Sequence, residues 1–195
     1  MKTTRYQKIF ITGALGFVGR ALAECYRAFG AEACGLDVRA DSALNIVAGD
    51  VSKPEAWQSA MDGCDLVIHT AAIVTNNVAR EEAWRVNVLG ARRVLDAAIR
   101  ARAKRFLHIS SLAAMRFNVE DRADESAPVM PTGNPYVDTK IASEHVVLAA
   151  HAKGEIACTI IRPADVYGPG SRPWTVIPAQ MIQKGLFLLP AHGKG

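Results

Sequence analysis

The sequence predicts an α/β fold: a doubly wound parallel sheet with helices on both faces. Three observations carry this. Short apolar runs alternate with helical patterns along most of the chain, as successive βαβ units require. About six such runs occur, and among them Ile9–Ile11 and Leu66–Ile68 are apolar throughout, as strands buried on both faces are. The first run passes through three spaced glycines into a helix, the arrangement that opens such a sheet.

The opening stretch, Lys8 to Gly19, reads K-I-F-I-T-G-A-L-G-F-V-G. Lys8–Thr12 is the first strand, and a helix runs from about Phe17 to Phe29, with Gly30 as its stop. Gly13 can take the tight turn, Gly16 lets backbone approach a pyrophosphate, and Gly19 lets helix and strand pack closely. The N–H groups at the helix start, including those of Phe17 and Val18, then face the phosphates, and the helix dipole favours their charge. A ligand-free glycine turn would show the same three residues; the strand before and the helix after favour the nucleotide site.

A second strand, Ala33 to Leu36, ends at Asp37, 18 residues beyond Gly19. An acid about 20 residues past the glycines suits the ribose hydroxyls of an adenosine and repels a 2′-phosphate. Arg39 lies two residues on, and a solvated turn is the competing role for Asp37. Ile46–Ala48 is the third strand, followed by Gly49-Asp50-Val51, and Pro54 opens a small helix to about Met61. Leu66–Ile68 is the fourth strand and runs into His69-Thr70-Ala71-Ala72, where small residues would let a cofactor lie against backbone; His69 reads as a packed core residue.

A long helical pattern from about Arg80 to Ala103 carries an apolar stripe of Val86, Gly90, Val94, Ala98 and Ala101. Asn87 lies beside it and needs a partner if buried. Arg105–Ser110 is the fifth strand, ending in Ser110-Ser111. Residues 116–135 are irregular and hold Glu120, Asp121, Asp124 and Glu125; loops of that length in compact domains are functional or mobile. A helix follows from Tyr136 to about Lys153, then Gly154, a sixth strand Ala157–Ile161, and a turn-rich loop from Arg162 to Gly170. Trp174–Lys184 reads as a helix interrupted near Pro178, and Leu186–Leu189 as a short strand. The boundary near 162–170 divides a nucleotide-binding domain, 1–165, from a second part, 166–195.

Composition narrows the function classes. The chain has 195 residues, 50% hydrophobic and 22% charged, with a net charge of +4. Its basic residues are scattered, so no nucleic-acid footprint is expected. No apolar run is long enough to span a bilayer, and residues 1–8 are too polar and short for a signal peptide, so no membrane partner is expected. Cys25, Cys34, Cys64 and Cys158 show no metal-ligand spacing, so no metal is expected; buried free thiols in a reducing cytoplasm are the expected state.

The chemical constellation is Tyr136 and Lys140, four apart on one helix face. A nearby ammonium is expected to lower the phenol pKa toward neutrality, making Tyr136 a general acid or base. Ser111, at the carboxyl end of the fifth strand, where such sheets bind ligands, could hold a substrate hydroxyl or carbonyl. A helix cap or strand-end hydrogen bond is the alternative role for Ser111, and a purely structural one for Asn87.

The motifs T-G-A-L-G-F-V-G, G-D-V, H-T-A-A, V-N-V-L-G-A-R-R-V-L-D-A-A, H-I-S-S, Y-V-D-T-K and I-R-P-A-D-V-Y-G-P-G, in this order from Lys8 to Gly170, resemble the extended short-chain dehydrogenase/reductases. That superfamily has a Rossmann fold and includes NAD-dependent sugar epimerases and dehydratases and 3β-hydroxysteroid dehydrogenase-like enzymes. The resemblance implies NAD rather than NADP. Gly13, Gly16 and Gly19 would cradle its pyrophosphate, Asp37 its adenosine ribose, and Asp50 and Val51 its adenine. Ala71 and Ala72 would line the groove. Pro163 would flank the nicotinamide, and Lys140 would bond the nicotinamide ribose. Ser111 would orient a small hydroxy or keto substrate, Tyr136 would move its proton, and Asn87 would support Lys140 through water. The reaction implied is hydride transfer between nicotinamide and a secondary alcohol or ketone. A transient oxidation in an epimerase or dehydratase is the second reading, and a non-catalytic dinucleotide sensor a third, against which Ser111, Tyr136 and Lys140 together argue. The helices from Arg80 and Tyr136 would pair with a second subunit or be covered within the chain.

Three departures qualify the resemblance. Many sugar-modifying relatives carry Val-Tyr-Gly where this chain has Ala114, Met115 and Arg116, which tilts the reading toward the steroid-dehydrogenase-like or flavonol-reductase-like branch. Thr139 replaces the serine before the lysine. Relatives also continue into a substrate-binding domain, expected here to be truncated or missing beyond its start at 166–195.

Overall fold

A computed structural model describes residues 5–75, 77–115 and 123–186. Six strands form one sheet: β1 Lys8–Thr12, β2 Glu32–Asp37, β3 Ile46–Ala48, β4 Leu66–His69, β5 Arg105–Ile109 and β6 Ala157–Ile161. Their order is β3-β2-β1-β4-β5-β6, and every neighbouring pair is parallel. The order reverses between β1 and β4, which creates the crevice where such sheets bind ligands.

The helices are α1 Phe17–Ala28, α2 Arg80–Trp84, α3 Gly90–Arg100, α4 Pro135–Ala152 and α5 Ile177–Gln183. Alternation along the strands builds two cores. Ile9 and Ile11 of β1, with Leu66 and Ile68 of β4, pack with Ala23 and Leu22 of α1. Phe10, Val67 and Phe106 point the other way and pack with Val94 and Leu95 of α3 and Val147 of α4. This is the doubly wound sheet that the apolar runs predict, covered on both faces.

Several elements differ from expectation. α2 and α3 are joined by a π-helical turn, Arg85–Leu89, so one wide turn interrupts the long helix. The small helix expected at 54–61 is two 3₁₀ turns, Pro54–Ala56 and Gln58–Met61, separated at Trp57, whose extended φ of −142° breaks the helical path. The buried Trp57 indole instead donates to the Asp50 carbonyl at 2.7 Å. In the last segment a π turn, Arg172–Val176, precedes α5, and Pro178 sits in the first turn of α5, where proline is best tolerated. Leu186 is not in a strand, and positions 187–189 lie outside the described residues.

All four cysteines are free. Cys34 and Cys64 are buried and Cys158 half-buried, but Cys25 is exposed, because it falls on the outward side of α1. The fold also brings two thiols together: Cys34 Sγ lies 3.9 Å from Cys64 Sγ. The chain divides into two compact units, one ending at Pro163 and one beginning at Ala164. Every candidate site residue belongs to the first.

Candidate active site

The glycine turn is built by close backbone approach. Gly13 has φ +67°, and a Cβ there would lie 2.8 Å from Thr70 Oγ1 and 2.9 Å from the Ala71 nitrogen. A Cβ on Gly19 would overlap the Gly13 carbonyl oxygen, so no larger residue fits without moving backbone. α1 then begins bare: Gly16 is its N-cap, no side chain caps it, and its first turn has no acid. The leading N–H groups, including those of Phe17 and Val18, therefore keep their affinity for an anion, which fits the diphosphate of a dinucleotide.

The tips of β2 and β3 supply two carboxylates. Asp37 accepts from the Leu15 N–H at 2.9 Å and from its neighbour Val38 at 2.8 Å, which ties it to the glycine turn. Asp50 accepts from the Ser52 N–H and hydroxyl and from Arg85 Nη1 at 2.5 Å. These bonds hold its carboxyl below the usual range although burial works against them. Val51 is buried and abuts Gly90, where a Cβ would approach Val51 Cγ2 to 2.6 Å. Ala71 and Ala72 are half-buried at the tip of β4, and the Ala71 N–H donates to Thr12 Oγ1 at 3.3 Å.

The proton-handling residues cluster at the tip of β5. Ser111 follows that strand, and its hydroxyl is near enough to the Tyr136 phenol to favour the ionised form. It also accepts from the Ala113 N–H at 3.2 Å, so it caps the Leu112–Met115 turn as well. Asn134 starts α4 by capping the Tyr136 and Val137 N–H groups, which fixes where Tyr136 enters the helix. Pro163 is held by the same turn: its carbonyl accepts from the Leu112 N–H at 2.9 Å.

Lys140, one turn along, is 4% exposed. Its ammonium donates to the Ile109 carbonyl at 2.9 Å and lies 6.0 Å from the Tyr136 ring centroid. Burial lowers its pKa to about 8, with Glu144 acting in the opposite sense. The phenol does not follow the expected course. Burial raises the Tyr136 pKa, and the nearby Ser111 hydroxyl only partly opposes it. The expected lowering fails because the pocket penalises the phenolate and the ammonium addresses a carbonyl instead.

Asn87 is buried but is not bonded to Lys140. Its carbonyl accepts from the Ile73 N–H at 2.8 Å, and its amide donates to the Ile73 carbonyl at 3.1 Å and to Thr139 Oγ1 at 3.0 Å. Thr139 in turn donates to the Tyr136 carbonyl. Asn87 thus ties the segment after β4 to the first turns of α4.

Three arrangements escape sequence reasoning. Thr12, His69 and His108 form a buried row across β1, β4 and β5: Thr12 Oγ1 lies 2.7 Å from His69 Nδ1, and the two rings stack at 5.5 Å. Burial lowers the His69 pKa to about 3 and holds His108 well below its usual value, so both rings are neutral. Glu144 and Arg162 form a buried bidentate pair at 2.9 and 2.7 Å. Arg85 joins Glu82 to Asp50. Each links residues far apart in sequence or across an irregular turn; the packed position of His69 was expected, but its partners in the row were not. Among the described residues no group of three or more His, Cys, Asp or Glu could hold a metal, and no helix is long and apolar enough to cross a membrane.

The family model described as "NAD dependent epimerase/dehydratase family" matches residues 9–186. The chain belongs to the NAD-dependent epimerase/dehydratase family. Among curated members, it is 32% identical over 169 residues to a sterol demethylase protein B of Methylococcus capsulatus, covering 82% of this chain and 51% of that one. It is 29% identical over 184 residues to a 3β-hydroxysteroid dehydrogenase/Δ5→4-isomerase of Mycobacterium tuberculosis, covering 87% and 50%. A solved Thermus thermophilus UDP-glucose 4-epimerase in complex with NAD superposes with a TM-score of 0.82 at 25% identity, covering 93% of this chain and 64% of that one. The epimerase/dehydratase-family chain thus spans about half the length of the curated relatives it matches.

Proposed function

We propose that this chain is the dinucleotide-binding part of an NAD-dependent oxidoreductase that interconverts a secondary alcohol and a ketone. The observation that carries the reading is the gathering of Ser111 and Tyr136 at a strand tip with the buried Lys140, whose ammonium lies 6.0 Å from the Tyr136 ring centroid. Bound NAD supplies a hydride acceptor at its nicotinamide ring. On this reading Gly13, Gly16 and Gly19, with the N–H groups of Phe17 and Val18, hold the diphosphate. Asp37 holds the adenosine ribose and selects NAD over NADP. Asp50 and Val51 hold the adenine. Ala71, Ala72 and Pro163 bound the groove, and Lys140 donates to the nicotinamide ribose.

Ser111 donates to the substrate oxygen and fixes its position. Tyr136 gives a proton to that oxygen in reduction and takes it in oxidation. Burial keeps the phenol protonated at neutral pH, which favours donation to a ketone. Withdrawal of a proton from an alcohol relies on the Lys140 ammonium, which keeps its charge below about pH 8. Asn87 acts by placing Thr139 and hence the Tyr136 turn. The curated likenesses and Ala114-Met115 favour a steroid-like hydroxy or keto substrate over a nucleotide sugar. The likeness to UDP-glucose 4-epimerase supports a second reading, in which the hydride returns to the substrate and no NADH accumulates.

Tyr136→Phe decides the matter. It removes the proton carrier and leaves the cradle intact. The enzyme, assayed at the NADH absorbance band with hydroxysteroids, flavanonols and nucleotide sugars, should lose turnover by at least about a hundredfold while still binding NAD. Unchanged turnover would remove Tyr136 from the mechanism.

A further inference from the structure

The π turn between α2 and α3 turns two neighbouring polar residues to different tasks. Asn87 is buried against Ile73 and Thr139, while Arg85, two residues earlier, reaches the tip of β3. Wide turns of this kind recur at functional positions in helices. Arg85 is engaged on both edges of its guanidinium. Nε and Nη2 bond Glu82 at 2.8 and 2.7 Å, and Nη1 bonds Asp50 Oδ2 and Ser52 Oγ, each at 2.5 Å. Asp50 is pinned at every side: Oδ1 takes two bonds from Ser52, Oδ2 takes one from Arg85, and its carbonyl takes the Trp57 indole.

The ion pairs themselves add little to stability. The Arg85 and Asp50 side chains are 38% and 31% exposed, where such pairs are weak. What this many bonds do achieve is a single carboxylate orientation, with Oδ2 still able to accept a second donor. An external N–H group meeting that oxygen finds an acceptor already oriented, so little ordering entropy is lost on binding.

We propose that Arg85 is a positioning residue for the adenine end of the cofactor, holding the Asp50 carboxylate as a fixed acceptor for the exocyclic adenine amine. This rests on the reading of Asp50 as an adenine contact. It adds a source of base selectivity: a purine with a carbonyl in place of the amine presents an acceptor to an acceptor and is rejected.

The test is direct binding of NAD and of nicotinamide hypoxanthine dinucleotide, which lacks the amine, followed by calorimetry. Wild type should prefer NAD. Arg85→Met should weaken NAD by roughly tenfold and change the hypoxanthine analogue by less than about twofold, erasing the preference. Arg85→Lys, which supplies a charge without the two-edged fork, should fall between them. A mere fold defect would weaken both ligands alike, and that result overturns the proposal. Loss of preference in Asp50→Ala together with full preference in Arg85→Met also overturns it, while leaving the Asp50 contact standing. Full preference in both variants overturns the Asp50 contact itself.

Discussion

Lys140→Met tests the buried ammonium on which the reading of the site depends. In the folded chain the Lys140 pKa falls from 10.5 to about 8. At about 1.4 kcal/mol per pH unit, that corresponds to roughly 3 kcal/mol lost by burying the charged form. Below pH 8 both folded and unfolded states carry the proton, so wild type bears the full penalty. Between pH 8 and 10.5 the folded state releases its proton first. The unfolded state then binds more protons, and wild-type stability rises with pH. Methionine has a similar length and no charge, so it removes this term at every pH. It also leaves the Ile109 carbonyl without its donor, a cost of about 1–3 kcal/mol that does not vary with pH. The two effects nearly offset at pH 7, so one melting curve says little. The slope decides. Urea unfolding at pH 7, 8, 9 and 10 should show wild type gaining on Lys140→Met by roughly 2–3 kcal/mol across the upper part of that range. Contributions from Tyr136 and the cysteines cancel to first order in the difference. A difference that stays flat from pH 7 to 10 would mean that Lys140 is not a buried titrating amine, and its role in the mechanism would fall with it.

Other substitutions probe the turn and the buried pair. Gly19→Ala drives a Cβ into the Gly13 carbonyl oxygen, so the turn must open; we expect about 2 kcal/mol or more of destabilisation by urea melts, whereas Gly16→Ala, with its Cβ 3.0 Å from that oxygen, should cost less. Glu144→Gln leaves Arg162, whose side chain is 18% exposed, without its counter-charge, and thermal melts should show a loss of about 3 kcal/mol; a loss below about 1 kcal/mol would mark the pair as incidental. Asp37→Ala removes the negative charge proposed to face the adenosine ribose, and titration with both dinucleotides should show the preference for NAD over NADP narrowing by about tenfold; a wild type that already prefers NADP would show that Asp37 is misassigned.

The sheet was legible because most of its strands are short apolar runs; β1 and β4 are buried along nearly their whole length, the edge strands β3 and β6 only in part. Lys8–Thr12, Ile46–Ala48 and Ala157–Ile161 announce themselves as apolar runs between turn signals, and the structure places them at those bounds. The π turn was not legible. One extra residue per turn leaves the apolar stripe of Val86, Gly90, Val94 and Ala98 intact to a 3.6-residue period, so periodicity cannot reveal it. The 3₁₀ turns at Pro54–Met61 were hidden for a related reason. Their path is set by Trp57 reaching the Asp50 carbonyl, a tertiary demand that local propensity does not contain. Tyr136 and Lys140 could be paired from spacing alone, but the sign of the phenol pKa could not, because it depends on how deeply the pocket closes.

The same limit explains the histidine row and suggests why it is there. His69 and His108 are in register on neighbouring strands, 39 residues apart in sequence, and only the sheet brings them together. Ser143 donates to the Lys140 carbonyl at 2.8 Å, so its oxygen must accept from His108 Nε2. Nδ1 of His108 is then an acceptor without a partner among the described residues, in a ring that burial and the Lys140 charge keep neutral. The lysine therefore rests on the Ile109 carbonyl, not on a carboxylate. The nearest acid along the helix, Glu144, is held by both nitrogens of the Arg162 fork. Had Glu144 paired with Lys140, the two charges would cancel and little field would reach Tyr136. By giving Glu144 its own cation, the fold leaves Lys140 without a direct ion pair among the described residues, so Glu144 only partly offsets its burial, at the cost in stability that the pH series on Lys140→Met is designed to measure.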